Sequence, residues 1–245
     1  MGIFDFSAML AEKGHLTVDF VGDSITWGVP HCTADETYVA VFTQMIAERY
    51  PEASVYRYDG VMGDEMAPMA RYDGPFLVQA GTGTQRIDVI RCGIGGNTVR
   101  RALNRFGDYT GVLVNGRRAD VTFFMFGIND ALKSDPRKYV TPEQFGKDYR
   151  ELLERFRAAE PSAVIVMSAT TNDQPIDEHV AETARVARAF GLPYIDHCAV
   201  WAAHFDPAAP HFGQSDWLSD TPGDACHPSP LGARVIARTI AENLD

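Results

Sequence analysis

Basic charge is scarce in this chain. Its 245 residues carry 22 Lys and Arg against 33 Asp and Glu, a formal net charge of −11. Non-specific nucleic-acid binding needs a basic face to neutralise phosphates. No nucleic-acid partner is therefore expected, whereas a neutral, sugar-like substrate fits better than a strongly anionic one such as a phospholipid surface. Cysteine is nearly as sparse. Cys32, Cys92, Cys198 and Cys226 form no C-x-x-C pair, so a zinc cage has no local support, and the four read as thiols of a reducing compartment. No apolar run approaches the roughly 18 residues of a membrane span. The opening MGIFDFSAMLAEK has Asp5 and no basic stretch ahead of an apolar run, unlike a secretory signal. Phe6 also stands where a myristoylation signal wants Ser or Thr. These absences predict a soluble, cytoplasmic protein without a membrane partner. Repeats, low-complexity tracts and linkers are missing too. With 45% hydrophobic and 22% charged residues, the composition is that of one globular domain over residues 1–245.

What is present is an alternation of short apolar runs with longer amphipathic stretches, the signature of βαβ units. Strands are predicted at Leu16–Val21, Arg86–Cys92, Asp120–Phe126, Ala163–Ser168 and Pro193–Ile195. Helices are predicted at Thr37–Arg49, from about Thr98 to Phe106, and at Pro142–Ala159, Ile176–Phe190 and Leu231–Asn243. Right-handed crossovers between such strands give an α/β fold, a parallel sheet with helices on both faces. The Gly-, Tyr- and Asp-rich segment Tyr50–Gln85 interrupts the rhythm, contains short β-like pieces at Ser54–Tyr58 and Pro75–Gln79, and reads as an inserted hairpin or cap at about 50–85.

Ligands of parallel sheets gather outside the carboxyl ends of the strands, and the polar oddities fall there. Strand ends deliver Gly22-Asp23-Ser24, then Gly93-Ile94-Gly95-Gly96, then Gly127-Ile128-Asn129-Asp130. The block Asp224-Ala225-Cys226-His227-Pro228 precedes the last helix. Each block alone reads as a cap or a turn. Together they supply acyl-transfer chemistry: a serine nucleophile, Ser24; an imidazole base, His227; and a carboxylate three residues earlier, Asp224, to hold the imidazole tautomer. Oxyanion donors come from the Ser24 and Gly96 backbone N–H groups and the Asn129 amide. Trp27 and Asp130 are candidates for the substrate pocket. Cys226, next to the base, reads as a packing residue, and His31 and Cys32 as exposed loop residues. Trp201, His204, His211 and Trp217 form either a sugar-stacking rim or a packed lid.

Competing chemistries fit less well. No Gly-Lys-Ser/Thr follows Gly93–Thr98, and Thr98 stands where the dinucleotide fingerprint needs its last glycine. A metal site from Asp23, Asp130, Asp224 and His227 leaves the serine and the amide unexplained, so neither a metal nor another cofactor is expected.

The four blocks resemble those of the GDSL esterase/lipase, or SGNH hydrolase, superfamily, in the family order and across residues 22 to 228. Ile25 replaces the Leu of the short family name, and Gly95 stands where many relatives carry Ser. The resemblance implies a flavodoxin-like three-layer α/β/α fold around a five-stranded parallel sheet. It also implies catalysis by Ser24, Asp224 and His227, with Ser24, Gly96 and Asn129 as the oxyanion hole. The expected enzyme is a serine esterase for small, chiefly acetyl, esters, with an acetylated saccharide as the favoured partner molecule; a homo-oligomer is compatible with the sequence. The alternatives are a lysophospholipase or thioesterase for longer acyl chains, and a non-catalytic carbohydrate-binding protein.

Overall fold

The computed structural model describes residues 5–28, 31–61, 71–169, 176–204, 216–219, 221, 224 and 226–244. In chain order the elements are α1 (Phe6–Lys13), β1 (His15–Gly22), α2 (Ser24–Trp27), α3 (Tyr38–Arg49), β2 (Ser54–Val61), β3 (Arg71–Gln79), β4 (Arg86–Gly93) and α4 (Val99–Asn104). There follow β5 (Val121–Phe126), α5 (Pro142–Ala159), β6 (Ala163–Ser168), α6 (Asp177–Ala189), β7 (Tyr194–Ile195), α7 (His197–His204) and α8 (Pro230–Glu242). The apolar runs became strands because both faces are covered: every residue of β5 is buried, and in β1 all but His15, as parallel strands between helical layers require. Helices begin where the sequence offers caps. Thr141 accepts from Gln144 N with Pro142 in the first turn, and Ser229 accepts from Gly232 N with Pro230 likewise.

The strands form one sheet in the order β3-β2-β4-β1-β5-β6-β7. All neighbours are parallel except the antiparallel pair β2–β3. The sheet thus has seven strands rather than the expected five, and both additional strands come from the 50–85 segment. Their pattern is unlike that of a buried strand because β2 carries charge into the interior. Arg57 and Asp59 are buried, with Arg57 Nε 3.1 Å from Asp59 Oδ1 and Arg91 Nε of β4 3.1 Å from the same oxygen.

Helices α1, α3 and α8 cover one face over a core that includes Phe20, Phe42, Phe123 and Ile236. There the Phe20 and Phe123 rings stack with centroids 4.6 Å apart. The other face packs α4, α5 and α6 over Phe124, Phe126, Tyr149 and Phe156. This is the expected three-layer α/β/α arrangement. It leaves the carboxyl ends of the central strands β4, β1 and β5 side by side, and each of them delivers one of the polar blocks.

Candidate active site

Asp23 and Ser24 stand at the exit of β1. The buried Asp23 carboxylate accepts from Ile25 N (2.9 Å) and caps the single turn α2, whose first residue is Ser24. That turn nests against β4 because position 93 is glycine: a Cβ there would collide with the backbone of Thr26 and Trp27. A second tie comes from Arg91, which donates to the Trp27 carbonyl oxygen. Since Arg91 also pairs with Asp59 (3.1 Å), the added strand β2 buttresses the serine turn through two ionic side chains. The second block is held to the first by Asn97 Nδ2, which donates to Tyr109 Oη (3.0 Å) and Gly22 O (3.4 Å). Gly96 adopts a φ of 66°, a left-handed conformation that favours glycine.

The loop before α8 brings in the imidazole. His227 Nε2 lies 2.8 Å from Ser24 Oγ, across 203 residues of sequence. On the far side of the ring, Nδ1 lies 3.0 and 3.1 Å from the two oxygens of Asp224. An Nδ1 facing two carboxylate oxygens carries the proton, which leaves Nε2 to accept from the serine hydroxyl. Burial acts to raise the Asp224 pKa. Hydrogen bonds from Cys226 N and His227 N (both 3.1 Å), together with the charge of His227, outweigh that and hold the carboxyl below its ordinary value.

Asn129, at the exit of β5, is buried, and its Nδ2 makes no hydrogen bond within the described residues. The amide lies close enough to Asp23 to draw that carboxyl downward against burial, which raises it to about 7. A buried amide donor without a formed bond is costly in a finished core, and it is the kind of group an oxyanion would engage. Asp130, raised to about 8 by burial, accepts from Val99 N (3.1 Å) at the start of α4. Its side chain ties the second and third blocks together.

Several residues stand elsewhere than the sequence suggested. His31 is not a plain loop residue. Its ring stacks on His227 with centroids 3.9 Å apart and planes within 10°, and its Nδ1 is 2.9 Å from Asp224 Oδ2, out of line for a hydrogen bond. Cys32 is likewise buried, its thiol 3.5 Å from Pro228 O. The signal was absent because neither residue belongs to a local motif; the contacts form only when the two loops meet. Trp201 is fully buried, edge-on to Trp217 (5.6 Å), under α8. It is part of the core and not of a sugar-stacking rim; His211 and the His204 side chain lie outside the described residues. Trp27 is half-buried at the end of α2. Cys226 Sγ sits 3.5 Å from His227 Nδ1, the side already used by Asp224 and opposite Ser24. None of the four cysteines is in a disulfide.

Among the described residues, the His, Cys, Asp and Glu cluster able to offer converging metal ligands is His31, Asp224 and His227, with ligand atoms within 4.8 Å of one another. It is not the set Asp23, Asp130, Asp224 and His227. The two imidazoles in it are stacked face to face, so their lone pairs lie in nearly parallel planes. Asp224 and His227 are already engaged with each other, and His227 with Ser24.

Comparison with known proteins adds the following. The family described as the GDSL-like lipase/acylhydrolase family matches residues 74–235, which include the second, third and fourth blocks; Ser24 lies outside the match. Similar solved structures include a lipase/acylhydrolase from Enterococcus faecalis, at 20% identity and a TM-score of 0.63, with 93% of this chain and 94% of that chain covered. The acetyl xylan esterase AlAXEase aligns at 17% identity and a TM-score of 0.64, covering 94% and 100%. An acetylxylan esterase from Geobacillus stearothermophilus aligns at 20% identity and a TM-score of 0.61, covering 99% and 96%. No curated protein matches the chain in sequence. No helix among the described residues is long and apolar enough to cross a membrane.

Proposed function

The chain belongs to the GDSL-like lipase/acylhydrolase family and is a carboxylic ester hydrolase of the SGNH type; on that premise we propose that it removes small acyl groups, acetyl first, from carbohydrate esters through an acyl-enzyme on Ser24. The observation that carries this reading is the continuous line from Asp224 through His227 to Ser24, with contacts of 3.0 and 2.8 Å. His227 Nε2 takes the Ser24 proton as Oγ attacks the ester carbonyl. The tetrahedral oxyanion then meets the Ser24 and Gly96 backbone N–H groups and Asn129 Nδ2. Collapse expels the sugar hydroxyl, which receives the proton from His227, and a water activated by the same nitrogen releases acetate. Asp224 stabilises the imidazolium formed in each half-reaction.

Two of the similar structures are acetyl xylan esterases, which makes an acetylated saccharide the first substrate to try. A cytoplasmic setting fits four cysteines that make no disulfide. Turnover of p-nitrophenyl acetate, butyrate and decanoate tests the acyl preference. A steep fall with chain length is expected, whereas an optimum at decanoate overturns the acetyl reading in favour of a longer-chain lysophospholipase or thioesterase.

A further inference from the structure

The proposed chemistry asks more of the base than its two hydrogen bonds supply. Contacts of 3.0 Å to Asp224 and 2.8 Å to Ser24 hold the two nitrogens of the His227 ring. Imidazole nitrogens donate and accept in the plane of the ring, so such bonds only weakly resist rocking of the ring about the line that joins them. That freedom matters, because a misplacement of about 1 Å at a reacting centre can cost on the order of 10²-fold in rate. The backbone under the ring is fixed by Ser219 N, which donates to the His227 carbonyl oxygen at 2.9 Å. The face of the ring rests on His31.

His31 enters from the loop between α2 and α3, which meets the loop before α8 at successive residues. Cys32 Sγ donates to the Pro228 carbonyl oxygen at 3.5 Å, and the His31 ring lies on His227 with centroids 3.9 Å apart and planes 10° from parallel. That separation is van der Waals contact between flat groups. His31 Nδ1 is 2.9 Å from Asp224 Oδ2 but out of line for a hydrogen bond, so the ring face, rather than a nitrogen, is what His31 offers the pair. Burial lowers the His31 pKa, the charge of His227 lowers it further, and Asp224 acts the other way. The face is therefore held neutral. When His227 takes the serine proton it becomes a cation against an aromatic face, an attraction that grows as the charge appears.

We propose that His31 is a positioning residue for acyl transfer: its ring is the platform that keeps His227 turned toward Ser24 and steadies the imidazolium of each half-reaction. The inference rests on the esterase reading above and adds to it a residue outside the four motif blocks. An interaction that is stronger in the transition state than in the ground state speeds the chemical step without tightening substrate binding. The contribution of His31 therefore belongs in kcat.

Three variants separate the face from the nitrogen. His31→Ala removes both, His31→Asn keeps a side-chain nitrogen near the Nδ1 position, and His31→Phe keeps a flat ring. With p-nitrophenyl acetate, His31→Ala and His31→Asn should each lose about tenfold in kcat while KM stays within about twofold of the wild type. His31→Phe should recover most of that loss. Thermal melts run alongside show which variants fold. The platform is overturned if His31→Asn is at least as active as His31→Phe, if His31→Ala keeps the wild-type kcat, or if the loss is confined to KM. Should His31→Ala fail to fold, the order of His31→Phe and His31→Asn still decides. Any of these results with an active wild type overturns the role of His31 and leaves the esterase reading standing. A wild type that does not hydrolyse p-nitrophenyl acetate counts against the esterase reading itself, and the platform falls with it.

Discussion

Asp224 and Asp19 are the same residue held in opposite ways. Asp224 stands in the loop before α8, and three groups from Cys226 and His227 keep its carboxyl ionised, below the ordinary value, in spite of burial. Asp19 lies inside β1 with both oxygens out of hydrogen-bonding geometry, and burial raises it to about 8, the nearby Phe20 N–H offsetting only part of the cost. Hydrogen bonds keep the charge of the carboxylate that the proposed chemistry uses, whereas Asp19, without them, is held neutral by burial.

The largest effect is expected from removing the Asp224 charge. Asp224→Asn keeps the shape but frees His227 to adopt the wrong tautomer, and kcat should fall by about 10³- to 10⁴-fold. A loss below tenfold in p-nitrophenyl acetate turnover would remove Asp224 from the proposed mechanism. Next is the buried donor. Asn129→Ala should lower kcat by roughly 10²-fold or more with little change in Tm, and unchanged turnover would show that the amide serves the fold alone. His31→Ala, which removes the ring stacked on His227, should cost less than Asn129→Ala, and its loss should appear in kcat rather than in KM. A KM effect alone would place His31 with the substrate instead.

The smallest effect falls on stability and separates the two aspartates by pH. The unfolded Asp19 loses its proton near 3.8 and the folded one only at about 8. The native state therefore binds more protons across that interval, and Asp19 costs stability increasingly as pH rises from about 4 to 8. Asp224 has the reverse sign: its folded pKa is lowered, so its contribution is present above the unfolded value of 3.8 and is lost as pH falls through the folded one. Asp19→Asn should raise Tm at pH 8 more than at pH 5, by on the order of 2–4 °C for each kcal/mol regained. An equal change at both pH values would mean that the Asp19 carboxyl is not held neutral.

How much of this was legible in sequence depended on whether the signal was local. Helix α5 and strand β6 were readable to the residue, because Thr141-Pro142 is a cap followed by a preformed first turn and Ala163–Ser168 is a bounded apolar run. The site blocks could be named because each is local, three at a strand end and the fourth before α8, and the fold brings Ser24, His227 and Asp224 to contacts of 2.8 and 3.0 Å. Strand β2 was legible only as a β-like piece at Ser54–Tyr58 of the inserted hairpin and not as a strand of the main sheet, since Arg57 and Asp59 make it look solvent-facing. Their burial becomes tolerable through each other, Arg91 and Asp35, partners that folding brings together. His31 was missed for the same reason, its partner lying 196 residues away on another loop.

The central claim is that Ser24 is the residue His227 activates. Labelling with a fluorophosphonate probe, followed by peptide mass analysis, tests it most directly. The account predicts a single adduct on Ser24 in the wild type and none in Ser24→Ala. Equal labelling of the two proteins would contradict it.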